Sequence, residues 1–288
     1  MRRETLCVPK AHRSSNERQE IDSAGKGASK TGATEKGVTK TDAIKESPMV
    51  DADIQAVLFD KDGTLLDFNA TWASVYRHAA GQVAQGDEDL VQRLLVEGGL
   101  DPQTGRFAQD SALACETTPV IAALWAEVAG HSDVASLSKQ LEQLFRTLEV
   151  RKLAPVAGLR AGLDQLAARG IRLGLATMDS EAMANADLKA MGVHGMFDFI
   201  CGADSGFGTK PEPGMVRAFC RTLGIGPECV AIVGDTAHDL NMGRNAGVGL
   251  VVGVLTGAGT AQSLAPHADH IVPDVAGVAP LIWGAPDK

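Results

Sequence analysis

Aromatic residues are scarce in this chain: Phe, Trp and Tyr together make up 4% of 288 residues, with a single Tyr. So thin a supply argues against the stacking platforms that hold single-stranded nucleic acid. Long apolar runs are missing too, and no stretch reaches the roughly 18 residues a membrane-spanning helix needs. Cysteines are few and odd in number: Cys7, Cys115, Cys201, Cys220 and Cys229 form no CxxC and no zinc-ligand spacing with His. They read as reduced, small hydrophobes of a cytoplasmic protein, Cys201 most clearly because it closes a strand-like run. Positive charge is in deficit, with 27 Lys/Arg against 36 Asp/Glu and a net charge of -9. The acid excess lies beyond residue 50, since the first fifty residues hold ten Lys/Arg and seven Asp/Glu. An acidic body repels nucleic acid and anionic membrane surfaces, which leaves small molecules as partners for a monomer or homodimer. The hydrophobic share of 44% is enough for a core.

Residues 1–48 have almost no large apolar side chains, are rich in Ser, Thr, Lys, Gly and Glu, and hold no signal-peptide core. Glu4, Glu17 and Glu20 fit poorly with a transit peptide. We expect a disordered tail, with Met49 as the true start or the tail dispensable.

What is present begins with Asp60-Lys61-Asp62-Gly63-Thr64, directly after the apolar run Ala56-Val57-Leu58-Phe59. Val, Leu and Phe suit a buried strand, and two acids at its end are costly unless a cation or a reaction uses them. Glycine then turns the chain so that both acids face one small volume. One carboxylate can attack phosphorus, and a neighbour two residues on can protonate the leaving oxygen and later activate water. An acidic turn capping the next segment is the plainer alternative. Downstream, the strand-like run Ile171–Ala176 ends at Thr177, whose hydroxyl can bond a phosphoryl oxygen. Phe197–Cys201 precedes a Gly-rich loop and Lys210-Pro211-Glu212-Pro213. Val230–Val233 ends in Gly234-Asp235-Thr236-Ala237-His238-Asp239. Ligands in open α/β sheets bind beyond the carboxyl ends of the strands, so these groups converge on Asp60 and Asp62. Taken singly, Thr177 is an ordinary strand-end hydroxyl and Lys210 an ordinary surface lysine.

These four motifs, in this order, resemble those of the haloacid dehalogenase (HAD) superfamily over about residues 52–275. The resemblance, phosphoglycolate-phosphatase-like in kind, implies a Rossmann-like parallel sheet covered by helices, an α/β fold with an inserted all-helical cap. It implies Asp60 as nucleophile, Asp62 as general acid/base, Thr177 and Lys210 as phosphate-binding groups, and Mg2+ as cofactor. The ligands it implies for Mg2+ are Asp60, Asp235 and the main-chain carbonyl of Asp62, with Asp239 in support. Hard, oxygen-preferring Mg2+ suits that set and His238 suits it less, so His238 is expected to hydrogen-bond or to be exposed. Dehalogenating relatives lack an acid at the position of Asp62, and ion pumps carry Thr there. Hydrolysis of a small phosphomonoester is therefore the reading, with a phosphosugar mutase of the β-phosphoglucomutase type as alternative. A non-catalytic binding protein ranks last, because Asp60, Asp62 and Asp235 are all kept.

Between the first motif and Thr177, helical periodicity runs over Asn69–Gln85, Asp87–Glu97, Thr117–Ala129 and Ser132–Arg151. We assign 69–151 to the cap, 49–68 and 152–288 to the core, with hinges near Leu66–Asn69 and Val150–Pro155. A lid of this kind closes over substrate and excludes water. The turn-rich loop Gly98–Ser111 carries Arg106, which pairs with a substrate anion or with Asp101 or Asp110 at the surface. Arg77, His78 and Trp72 face the same choice, Trp72 with the stronger claim to the core. Thr256-Gly257-Ala258-Gly259-Thr260 lacks the Lys and Ser/Thr of a P-loop and reads as a flexible loop after a strand.

Overall fold

The computed structural model describes residues 53–108, 111–146 and 152–283, so the expected tail over 1–48 lies outside the described residues. Six strands form one parallel sheet: β1 (Ala56–Phe59), β2 (Arg172–Ala176), β3 (Phe199–Cys201), β4 (Val230–Gly234), β5 (Leu250–Val254) and β6 (His270–Val272). Their order is β3-β2-β1-β4-β5-β6, with every neighbouring pair parallel. β1, β4 and β5 are buried at every position, as a sheet covered on both faces requires. The chain order reverses at β1, whose neighbours are β2 and β4, and this is where such sheets open a crevice.

Eleven helices complete the described residues: α1 (Phe68–Val83), α2 (Glu88–Glu97), α3 (Ala112–Cys115), α4 (Thr118–Ala129), α5 (Val134–Arg146), α6 (Leu159–Ala168), α7 (Glu181–Ala190), α8 (Gly214–Leu223), α9 (Ala237–Ala246), α10 (Ala261–Leu264) and α11 (Val278–Trp283). Alternate residues of the strands feed two apolar layers. Val57, Phe59, Leu173 and Leu175 pack on one face with α6 and α7, while Ala56, Leu58, Val230 and Ile232 pack on the other with α8 and α9. The fold is the expected helix-covered α/β sheet.

Helices α1 to α5 form the cap, inserted between β1 and β2. They bury a third apolar cluster, which Met183 of α7 joins and in which Trp72 stacks on Tyr76 at 5.2 Å and Phe145 meets both rings edge-on. Half of the chain's few aromatics lie in this smaller part of the fold, where large rigid side chains supply most packing area per residue. Asp67 caps α1 by accepting from the Ala70 amide, and Asp87 caps α2 in the same way. The last five residues of the helix expected over Ser132–Arg151 lie outside the described residues. The short α3, inside what reads as loop and linker, has too few residues to show a period.

The two chain segments joining cap to core lie side by side. Leu66 and Pro155 form an antiparallel bridge, the Asp67 amide donates to the Ala154 carbonyl at 2.8 Å, and the Val156 amide donates to the Leu65 carbonyl at 3.0 Å. The Thr71 hydroxyl also accepts from the Ala154 amide. No helix of the described residues is long and apolar enough to cross a membrane.

Candidate active site

The polar groups named from the sequence meet beyond the carboxyl ends of β1, β2 and β4. Asp60, Asp62, Thr177, Lys210, Asp235 and Asp239 all line one cavity of about 50 Å3. Asp60 continues β1, its amide donating to the Val233 carbonyl at 2.9 Å. The chain then turns so that the Gly63 amide bonds back to the Leu66 carbonyl. Gly63 sits at φ +91°, and a Cβ there would stand 2.4 Å from Asp235 Oδ2, so the turn and the site both demand glycine.

Each carboxylate has a distinct role in the hydrogen-bond pattern. Asp60 Oδ1 accepts from Lys210 Nζ, and its Oδ2 is buried with no hydrogen-bond partner among the described residues. Asp239 is fully used: Oδ1 accepts from Lys210 Nζ at 2.6 Å, and Oδ2 accepts from the Thr236 amide and hydroxyl in a capping box at the start of α9. Asp235 accepts from the Thr64 hydroxyl at 3.3 Å and from the Ala258 amide at 2.9 Å. One oxygen from each of Asp60, Asp235 and Asp239 lies within 4.8 Å of the others.

Burial and close packing of like charges raise the proton affinities of Asp60 and Asp235. Burial pushes the Asp60 carboxyl up to about 7, Asp239 and Asp62 add to the rise, and Lys210 opposes it. Asp235 is held well above the ordinary carboxylate range by burial and then by the charges of Asp60 and Asp239. Burial alone would lower the Lys210 ammonium; the Asp239 and Asp60 carboxylates more than reverse that and hold it above its ordinary value.

Such a donor set fits a hard divalent cation. It offers clustered carboxylate oxygens, one of them a buried, unpartnered atom, with no sulfur or imidazole in the group. Asp239 is the most committed of the three, accepting from Lys210 Nζ and from the Thr236 hydroxyl at 2.6 Å each. Among the described residues, Asp235 accepts only from the Thr64 hydroxyl at 3.3 Å and the Ala258 amide at 2.9 Å, and Asp60 Oδ2 has no partner.

Several residues of the site escape a reading of the sequence. Lys61 is fully buried, and its ammonium bonds Asp179 Oδ2 at 2.6 Å, Asp187 Oδ2 at 2.7 Å and Asp62 Oδ2 at 2.7 Å. Asp62 Oδ1 accepts from the Trp72 indole N–H at 2.6 Å, so the side chain assigned to the cap core also touches the site. The segment Thr256–Thr260 is no loose loop. Its Thr256 hydroxyl donates to the Gly63 carbonyl at 2.6 Å, and a Cβ on Gly257 would stand 1.8 Å from Asp235 Oδ2. The expectation of flexibility is corrected by this packing, which the glycine content alone cannot show. His238, expected to hydrogen-bond or to be exposed, is half-buried on the cavity wall with its Nδ1 unpartnered among the described residues. Arg106 stands apart: it is exposed and absent from the cavity lining, while its neighbour Phe107 packs into the cap. Arg77 and His78 are exposed as well.

Comparison with known proteins places this geometry in a family. The haloacid dehalogenase-like hydrolase model matches residues 54–247, from β1 through the cap to α9. A protein of Dickeya dadantii described as "Probable phosphatase IndB" is 32% identical over 221 residues, covering 76% of this chain and 88% of the relative. The phosphoglycolate phosphatase of Rhodospirillum rubrum is 32% identical over 206 residues, covering 69% and 78%. Among solved structures, a "predicted phosphoglycolate phosphatase" from Haemophilus somnus superposes with a TM-score of 0.61 at 20% identity, over 79% of this chain and 97% of the other, a likeness of fold.

Proposed function

The chain belongs to the haloacid dehalogenase-like hydrolase family and is a phosphatase of that family, and from this premise we propose that it hydrolyses a small, phosphoglycolate-sized phosphomonoester through an aspartyl-phosphate on Asp60. The observation that carries the reading is the buried, unpartnered Oδ2 of Asp60, facing a cavity that Asp62, Thr177, Lys210 and Asp235 share.

In this scheme the Asp60 carboxylate attacks phosphorus, forming a P–O bond as the bond to the ester oxygen breaks. The departing oxygen takes a proton from Asp62. Water then attacks the same phosphorus, returns a proton to Asp62, and releases inorganic phosphate with Asp60 restored. Thr177 donates its hydroxyl to a phosphoryl oxygen. Lys210, already bonded to Asp60, offsets the charge that builds there, and Asp239 fixes Lys210 in place. Mg2+ is the cofactor we assign, held by Asp60, Asp235 and the main-chain carbonyl of Asp62; bound there it neutralises phosphoryl charge. Trp72 and Lys61 orient Asp62, and the cap keeps water away until the leaving group has gone.

We assign residues 69–151 to the cap, 49–68 and 152–288 to the core, and the cytoplasm as the place of action. Asp60→Asn should abolish phosphate release from p-nitrophenyl phosphate in the presence of Mg2+; undiminished release by pure protein would refute the nucleophile. Stoichiometric release of inorganic phosphate from a substrate argues for hydrolysis, whereas isomerised phosphate esters would favour the mutase.

A further inference from the structure

We infer that Glu116 selects the substrate: the cavity takes phosphomonoesters whose leaving group ends in a hydrogen-bond donor, an ammonium first and a hydroxyl second, and rejects those with a second anion. This rests on the phosphatase reading above and sharpens it.

The cap side of the cavity is formed by Phe68, Trp72, Tyr76, Leu113 and the run Ala114-Cys115-Glu116. Most of these are apolar, and among the described residues the carboxylate of Glu116 is the one charge the cap brings to the wall. It is half-buried, at the end of α3, and its side chain makes no hydrogen bond or ion pair with the described residues. Among the described residues, no arginine or lysine lines this side. The cap cations considered from the sequence, Arg77 and Arg106, are exposed and outside the lining. On the core side, Lys210 is spent on Asp60 and Asp239. Asp179, which also lines the cavity, adds a further acid, and the imidazole of His238 is the remaining basic group. A leaving group bearing a carboxylate would therefore meet an unpaired carboxylate on the cap with no cation set against it. An ammonium or hydroxyl would find there the acceptor it needs.

Three esters of nearly equal size separate the cases: 2-aminoethyl phosphate, 2-hydroxyethyl phosphate and 2-phosphoglycolate. Wild-type kcat/KM should fall in that order, with at least about tenfold between first and last, as one charge contact of this kind implies. Glu116→Gln should shrink the ratio toward one, Glu116→Arg should invert it, and Glu116→Asp should restore part of it. The changes should fall mainly in KM, with thermal melts confirming folded variants. Faster turnover of 2-phosphoglycolate by wild type, or a ratio indifferent to Glu116→Gln and Glu116→Arg, overturns the inference. So does turnover of p-nitrophenyl phosphate with none of the three esters accepted. Failure of wild type to release phosphate from p-nitrophenyl phosphate would instead strike the phosphatase reading itself.

Discussion

At Asp60, one carboxylate oxygen is bound by Lys210 and the other by nothing, and burial holds the group near 7 against an ordinary 3.8. Without metal, the folded chain therefore keeps a proton that the unfolded chain releases. The stability this proton supplies is complete below about pH 4 and is lost as pH rises through about 7. Asp235 is shifted in the same direction. Metal-free protein should thus melt at a lower temperature at about pH 8 than at about pH 5, and Mg2+ should raise the midpoint more at the higher pH. A metal-free midpoint that climbs over this range would contradict the picture. Gly257→Ala is a second test: its methyl group would occupy the place of the Asp235 carboxylate, so activity and Mg2+ stabilisation should both fall while the sheet stays folded. Asp62→Asn should cost about 10²–10⁴ in kcat, the usual worth of a general acid–base. Asp60, Asp62, Thr177, Asp235 and Asp239 could be grouped from the sequence because each follows closely on a strand-like apolar run, whereas Lys210, one Gly-rich loop beyond β3, was singled out only by the order of the four motifs taken together. Lys61 was not. Its partners Asp179 and Asp187 lie 118 and 126 residues away, and no local pattern marks a lysine as buried.

Among the elements, α1 does two jobs. Its apolar face, from Phe68 through Val83, builds the cap core, and Trp72 on that face reaches out to Asp62. The periodicity of 69–85 reveals the first job and is silent on the second, because an indole in an apolar stripe looks the same whether or not its N–H is used. Trp72→Phe keeps the ring packing and deletes the hydrogen bond. We expect kcat to fall with only a modest loss of melting temperature, since a hydrogen bond to a charged group is worth about 1.5–3 kcal/mol. The loop from β1 binds elements through Lys61 instead: it ties the first motif to the residue after Thr177 and Met178 and to the middle of α7. Lys61→Met leaves three carboxylates without their shared cation and should destabilise the protein by about 3–5 kcal/mol in chemical unfolding. The loop after β5 was misjudged for a related reason. Glycines there serve close approach to Asp235, which composition cannot distinguish from freedom of movement.

On the scale of the whole molecule, an acidic chain that handles a phosphate ester must reverse its own field at one spot. Lys210 achieves part of this, and the clustered oxygens of Asp60 and Asp235 invite a divalent cation to supply the rest. Strands β1 to β4 were readable in the sequence, because each is short, apolar and followed by turn residues. The facing of cap against core was not, since it depends on side chains far apart in the chain, such as Glu116 and His238. All the site residues lie beyond residue 53, so a protein beginning at Met49 should retain full phosphate release. The paired segments at Leu66 and Pro155 carry a last consequence. Because the insert leaves and re-enters the sheet at a single point, everything between behaves as a detachable module whose ends already touch. Exchanging it for a different lid would require no new path through the sheet, and the same phosphoryl chemistry would then serve a different ester.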